Sequence, residues 1–270
     1  MHGSECNRGL SPILGFVPRY PIWTPTTAAV AASVVAGRPR SFPRDARRLM
    51  AGLHPPLKVE GELPDFGHGG WVLVMNHFAR PGFRAWWIAL AVSSLVPRDV
   101  QWVMTSTFTY PDRWHSSWLT PLSTILLARL ARCYGFTSMP PMPPRPGDVA
   151  ARAQAVRRVL AIAQRTPPPV LAMAPEGTDA SGGILQPLWP GTGRFLLHLA
   201  RRGLRFLPFG VFEGEGRLCL HIGRPFLLAS PKTRASESGG AADGEDPQAA
   251  EVVARAIAAC LPAPLRGNFA

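Results

Sequence analysis

The chain has 270 residues, 46% of them hydrophobic, which is enough apolar material for a full core and suits one large domain better than two small ones. Lys and Arg outnumber Asp and Glu by 29 to 17, a net charge of +12, so the surface field attracts anions, although the basic residues form no long block. The four cysteines, Cys6, Cys133, Cys219 and Cys260, are far apart, which excludes a zinc-ribbon spacing and fits a reduced, cytoplasmic chain without structural metal.

Taken in order, residues 1–25 read as an irregular arm, because Pro12, Pro18, Pro21 and Pro25 forbid a long helix. Nothing there has the form of a signal peptide, and no stretch reaches the roughly 18 uninterrupted apolar residues of a spanning helix, so any membrane contact is expected to be peripheral. Residues 10–23 can cover the core or lie on a membrane; the prolines favour the core. A helix over 28–36, capped by Thr26 or Thr27, is followed by a basic helix over 44–53 and an alternating edge strand over 57–61. An apolar strand over 71–75 then delivers Asn76 and His77 to its end, and a helix is expected from about Gly82 to Leu95.

A buried strand over 100–104 comes next, then a turn capped by Asp112 and a helix over 120–132 with Pro121 in its first turn. A short strand over 134–136 leads to the Pro-rich loop 139–147. Asp148 caps a helix whose Val149, Ala153, Val156, Leu160 and Ala163 recur at helical spacing. The apolar strand 169–174 runs into Pro175-Glu176-Gly177-Thr178. A helix over 191–202, stopped by Gly203, precedes strands over 204–212 and 217–222. Residues 230–246 read as a flexible Ser, Gly and acid-rich linker, and a terminal helix begins at Asp246-Pro247, with Val252, Val253, Ala256, Ile257, Cys260 and Leu261 facing the body. Strands alternating with helices predict a single α/β domain whose mixed, largely parallel sheet is covered on both faces. Its parts are an N-terminal arm and helices (1–53), the α/β body (54–229), the linker (230–246) and the C-terminal helix (247–270).

The carboxyl ends of strands are where an open α/β sheet collects its chemistry, and two strand ends here carry it: Asn76-His77 and Pro175-Glu176-Gly177-Thr178. In this order they resemble motifs of the lysophospholipid acyltransferase superfamily, which includes bacterial 1-acylglycerol-3-phosphate acyltransferases. Leu188-Trp189-Pro190-Gly191, the Pro208 strand and the Gly223-Arg224-Pro225 strand end extend the resemblance over residues 57–225. It implies direct acyl transfer from acyl-CoA or an acyl carrier protein to a hydroxyl of a glycerolipid-type acceptor, with no bound cofactor or metal. His77 would be the general base and Glu176 would hydrogen-bond the acceptor. Asn76, Gly177, Thr178 and Asp179 would complete the acceptor site, with Arg80, Arg84 and Arg145 as candidate anion contacts. The partners implied are the acyl donor, the lipid acceptor and an anionic membrane surface at the inner face of the membrane.

Three positions depart from the family pattern. Gly82 stands where the family has the Asp that orients the imidazole, and Asp179 stands where it has a phosphate-binding Arg. Its second motif is poorly matched by residues 135–139, Arg145 being the nearest candidate. Asp179 is a candidate substitute carboxylate for orienting His77, both strand ends being expected along one sheet edge. An active enzyme on an unusual acceptor and a degenerate, lipid-binding relative therefore both fit. Nucleic-acid binding fits less well, since Trp71, Trp86, Trp87 and Trp102 sit in apolar runs rather than in a stacking surface.

Overall fold

A computed structural model describes residues 17–108, 116–178, 181–229 and 242–270. Seven strands, β1 (Lys58–Glu60), β2 (Trp71–Met75), β3 (Val100–Thr105), β4 (Thr137–Met139), β5 (Val170–Met173), β6 (Arg205–Gly214) and β7 (Arg217–Ile222), form one sheet in the order β1-β7-β6-β2-β5-β3-β4. Every neighbouring pair is parallel except β6 and β7, which are joined as a hairpin, so β1 and β7 run against the other five. The hairpin needs only Glu215 and Gly216, both at positive φ (52° and 71°), the geometry whose twist matches the flanking strands. β2 and β5 are buried at every position, as their unbroken apolar runs require of parallel strands covered on both faces.

The helices are α1 (Pro25–Ala36), α2 (Phe42–Met50), α3 (Trp86–Leu95), α4 (Ser116–Tyr134), α5 (Val149–Ile162), α6 (Thr192–Ala200) and α7 (Ala242–Ala258). The strand order, taken with the right-handed rule for crossovers between parallel strands, assigns α3 and α4 to one face of the sheet and α5 and α6 to the other. α1 packs on α4 and α2 on α3, while α7 packs on α6 and against β2 and β6. The connections after the adjacent strands β2 and β5 therefore leave toward opposite faces and open a crevice between the two carboxyl ends. α2 supplies Ala46, Leu49 and Met50 to the same hydrophobic core as the strands.

Several boundaries differ from the sequence reading, each for a local reason. α1 starts at Pro25, because Thr24 forms a capping box with Thr27 and Pro25 is tolerated in the first turn. α4 and α7 begin upstream of Pro121 and Pro247, which lie inside them rather than at their starts. Residues 242–246, expected in the linker, are thus helical. The expected Asp112 turn, Asp179 and residues 230–241 lie outside the described residues. The strand expected over 134–136 forms at Thr137–Met139, since Gly135 takes φ 73° and ends α4. On α5 Ala155, Val159 and Ile162 are buried together with Ala163, and Leu160 packs on the core, whereas Val149 is exposed: the inward face is rotated from the expected stripe and shares its C-terminal end. Val252 is likewise exposed, while Val253, Ile257, Cys260 and Leu261 are buried. Residues 17–23 divide: Pro18 is buried and Tyr20 packs on the core, whereas Trp23 is exposed.

Asp246 has a use that the sequence did not suggest. Its carboxylate accepts the Gly191 and Arg194 backbone N–H groups, both at 2.6 Å, and so caps α6 from α7. A Cβ on Gly193 would lie 2.0 Å from the Asp246 carbonyl oxygen, so only glycine allows the two helices this approach.

Candidate active site at the ends of β2 and β5

β2 stops at Met75, and the buried side chain of Asn76 continues its pairing. Nδ2 donates to the Val211 carbonyl oxygen and Oδ1 accepts the Val211 N–H, both at 2.8 Å. Both polar ends of this side chain are thus engaged by the β6 backbone, and the half-buried His77 follows from a fixed point.

Glu176, at the end of β5, is 1% exposed. One carboxylate oxygen accepts the His77 backbone N–H at 2.6 Å and the other accepts the Gln186 N–H at 2.9 Å. A single carboxylate thereby joins the loop after β2, the turn after β5 and the segment leading to α6. Burial pushes its pKa above the usual carboxylate range, against the opposing pull of the two N–H groups and of His77.

Gly177 makes the turn, at φ 68°, with its N–H donating to the Ala174 carbonyl oxygen at 3.1 Å. A Cβ there would come within 2.7 Å of Met142 Cγ, so the Pro-rich loop before α5 lies directly against this turn. Gly183, at φ 72°, lets the segment after β5 close on Phe78, whose ring would be 2.5 Å from an added Cβ. Thr178 is half-buried at the same edge.

Arg80 follows His77 by three residues, and its guanidinium forks onto Glu213 at the end of β6. Nη2 is 2.7 Å from Oε1, Nε donates to Oε2, and Nη1 donates to the Pro81 carbonyl oxygen at 2.7 Å. The Tyr20 hydroxyl donates to the same carboxylate. Burial, then the hydrogen bond to Glu213, pushes the Tyr20 phenol above its usual pKa, and the same carboxylate raises that of Arg80. The Tyr20 ring rests on Phe83 and Trp87, with centroids 5.7 and 4.8 Å away.

Arg80, Pro81, Gly82 and Phe83 form a β-turn closed by the Phe83 N–H on the Arg80 carbonyl oxygen at 3.1 Å, with Gly82 at φ 82°. Pro followed by a positive-φ Gly is the signature of a type II turn. Gly82 is therefore a turn residue and not the start of α3, which begins four residues later.

The sequence candidates divide in space. His77, Glu176, Gly177 and Asn76 meet at the crevice. Arg80 is there too, but committed to Glu213. Arg84 is exposed and stacks over Trp86 with its Cζ 5.2 Å from the ring centroid. Arg145 lies with Pro144, Val149 and Arg152 beside a shallow cleft of about 470 Å³ on α5. Tyr20, Met142, Gln186 and Glu213 were not singled out from the sequence. Glu213 could have been, as an acid at the carboxyl end of a strand parallel to β2. Among the described residues, no group of three or more His, Cys, Asp and Glu is placed to hold a metal ion.

No known protein-family model matches this sequence, and no curated protein matches it. Among solved structures, the chain is similar to the 1-acyl-sn-glycerophosphate (LPA) acyltransferase PlsC from Thermotoga maritima, at 15% identity and a TM-score of 0.47, over 87% of this chain and 83% of that one.

Proposed function

We propose that the protein is an acyltransferase that moves a fatty acyl group from the thioester of acyl-CoA or an acyl carrier protein to a hydroxyl of a glycerolipid-type acceptor at the inner face of a membrane. The observation that carries this reading is the junction of His77 and Glu176. Two motif residues far apart in sequence meet at the crevice between β2 and β5, held by the 2.6 Å bond from the His77 N–H to the buried carboxylate.

In this reading the His77 imidazole takes the proton of the acceptor hydroxyl as its oxygen attacks the thioester carbon. Backbone N–H groups at the sheet edge stabilise the oxyanion, the C–S bond breaks, and the imidazolium returns the proton to the leaving thiolate. Glu176 serves as the brace that sets where His77 leaves the strand, since main-chain donors already engage both its oxygens. Gly177 and Thr178 border the acceptor, and Asp179 and Arg84 are the remaining charged candidates for acceptor recognition. Acyl-CoA consumption against a panel of hydroxyl acceptors tests the proposal. His77→Ala is expected to lower turnover by about 10² to 10⁴.

A second reading, a degenerate relative that binds acyl chains without turnover, is favoured by one observation. The position where the family has its orienting Asp is the turn glycine Gly82. Equal acyl-CoA consumption by wild type and His77→Ala, with fatty-acid binding retained, would select it.

A further inference from the structure

α4 is apolar on two sides. It buries Ser123, Leu127, Ala131 and Cys133, and turns Leu122, Ile125 and Leu126 outward at 53%, 56% and 53% exposure, with Arg129 next on the same stripe. The spacing i, i+3, i+4, i+7 is that of a helix face meant to be covered. α1, packed beside α4, carries no charged residue in its 12 positions; it buries Val34 and leaves Val35 at 74% exposure. Trp23, just before α1, is 97% exposed.

The two helices meet at their carboxyl ends, where the Arg40 N–H donates to the Cys133 carbonyl oxygen at 2.9 Å and Cys133 Sγ lies 3.1 Å from the Arg38 carbonyl oxygen. Arg38, Arg129 and Arg132 are exposed there. The surface is thus an apolar face bordered by guanidinium groups.

We propose that the α1–α4 face docks the protein on an anionic lipid bilayer. Trp23, Leu122, Ile125 and Leu126 enter the boundary between headgroups and acyl chains, and Arg38, Arg129 and Arg132 meet lipid phosphates. Charge decides between this occupant and a second copy of the chain. A two-fold contact would bring the same arginines of two molecules, each at +12, toward one another, whereas an anionic surface is complementary to them. A fully exposed indole also suits an interface that is wet on one side and apolar on the other. This inference deepens the acyl-transfer reading and rests on it for the choice of a lipid surface as partner.

Cosedimentation of the full chain with sucrose-loaded vesicles tests it, comparing equimolar phosphatidylglycerol and phosphatidylcholine with phosphatidylcholine alone. Wild type is expected to pellet with the anionic vesicles and to shift its tryptophan emission to the blue, a shift reduced in Trp23→Phe. The double variant Ile125→Asp/Leu126→Asp is expected to bind roughly tenfold more weakly, two half-exposed aliphatic side chains being lost from the interface. Arg129→Glu/Arg132→Glu is expected to lose at least fivefold per guanidinium at low salt, about 1 kcal/mol each. All four positions are exposed, so circular-dichroism melts of both variants should match wild type. His77→Ala is expected to bind vesicles as wild type does even where turnover is lost, which separates failure of docking from failure of catalysis. The proposal is overturned if wild type stays in the supernatant, if the two double variants sediment undiminished, or if wild type is a dimer that Ile125→Asp/Leu126→Asp makes monomeric without any change in vesicle binding.

Discussion

Glu176 illustrates how one side chain can define a site without facing solvent. Each of its oxygens accepts one main-chain N–H, from His77 and from Gln186. Glu176→Gln keeps the shape but turns an NH₂ group toward one of these donors, leaving two donors opposed in a buried setting. Stability is expected to fall by about 1 to 3 kcal/mol, measured by urea denaturation at neutral pH. The pH dependence has a definite sign. Burial raises the folded pKa above the unfolded one, so the contribution of Glu176 is fully present below the unfolded value and is lost as pH rises through the folded value. The variant is therefore expected to show a flatter stability profile than wild type across the acid range just above the usual carboxylate pKa. At this scale the sequence was legible where a short polar motif closes an apolar run: Asn76, His77, Glu176 and Gly177 all stand at strand ends. Tyr20 and Glu213 were not legible as partners, because 193 residues separate them and only the folded sheet brings them together.

Among the elements, the turn over Arg80, Pro81, Gly82 and Phe83 has the most bearing on the proposed acyl transfer. It occupies the position where an orienting carboxylate was sought and puts backbone there. Gly82→Asp restores the acid in name only. A Cβ at this residue would lie 3.5 Å from Arg80 Nη1, so the new side chain starts out toward a guanidinium that Glu213 already holds. The substitution is expected to cost about 1 kcal/mol for a non-glycine residue at positive φ. It is also expected to leave acyl-CoA consumption no higher than in wild type; a thermal melt and the turnover assay check the two parts. Element ends were the hardest feature to foresee. Proline favours the first turn of a helix, so Pro121 and Pro247 pointed to starts that lie too late. On α5 the expected stripe meets the core only at Leu160 and Ala163, while Ala155, Val159 and Ile162 fill the rest of the inward face, a rotation set by tertiary packing that periodicity does not carry.

For the molecule as a whole, the largely parallel sheet was legible because the continuous apolar runs 71–75 and 170–173 are short and preceded by Gly69-Gly70 and Pro167-Pro168-Pro169, the pattern of strands covered on both faces. The reversal of β1 and β7 was not, since strand direction leaves no trace in composition. The N-terminal helices are bound in by a half-buried ion pair. The Arg40 guanidinium donates to both oxygens of Asp45 at 2.7 Å, and the Tyr134 hydroxyl donates to the same carboxylate at 2.9 Å. This cluster ties the link between α1 and α2 to the end of α4. Asp45→Asn leaves the partly exposed Arg40 without a counter-charge and breaks its charged hydrogen bonds, and is expected to lower stability by about 1 to 3 kcal/mol, seen as an earlier urea midpoint with an unchanged slope.

The Asn76 side chain has a further consequence for motion. By donating to and accepting from the two backbone groups of Val211, it acts as a surrogate peptide unit, and the sheet persists one residue beyond the point where β2 itself ends. Movement of the loop that carries His77 must then be a pivot about the bond following Asn76, since unzipping from β6 would break both bonds at once and strand two buried polar groups. The Val211 amide should accordingly exchange its hydrogen as slowly as the centre of the sheet, although it lies at the rim of the crevice.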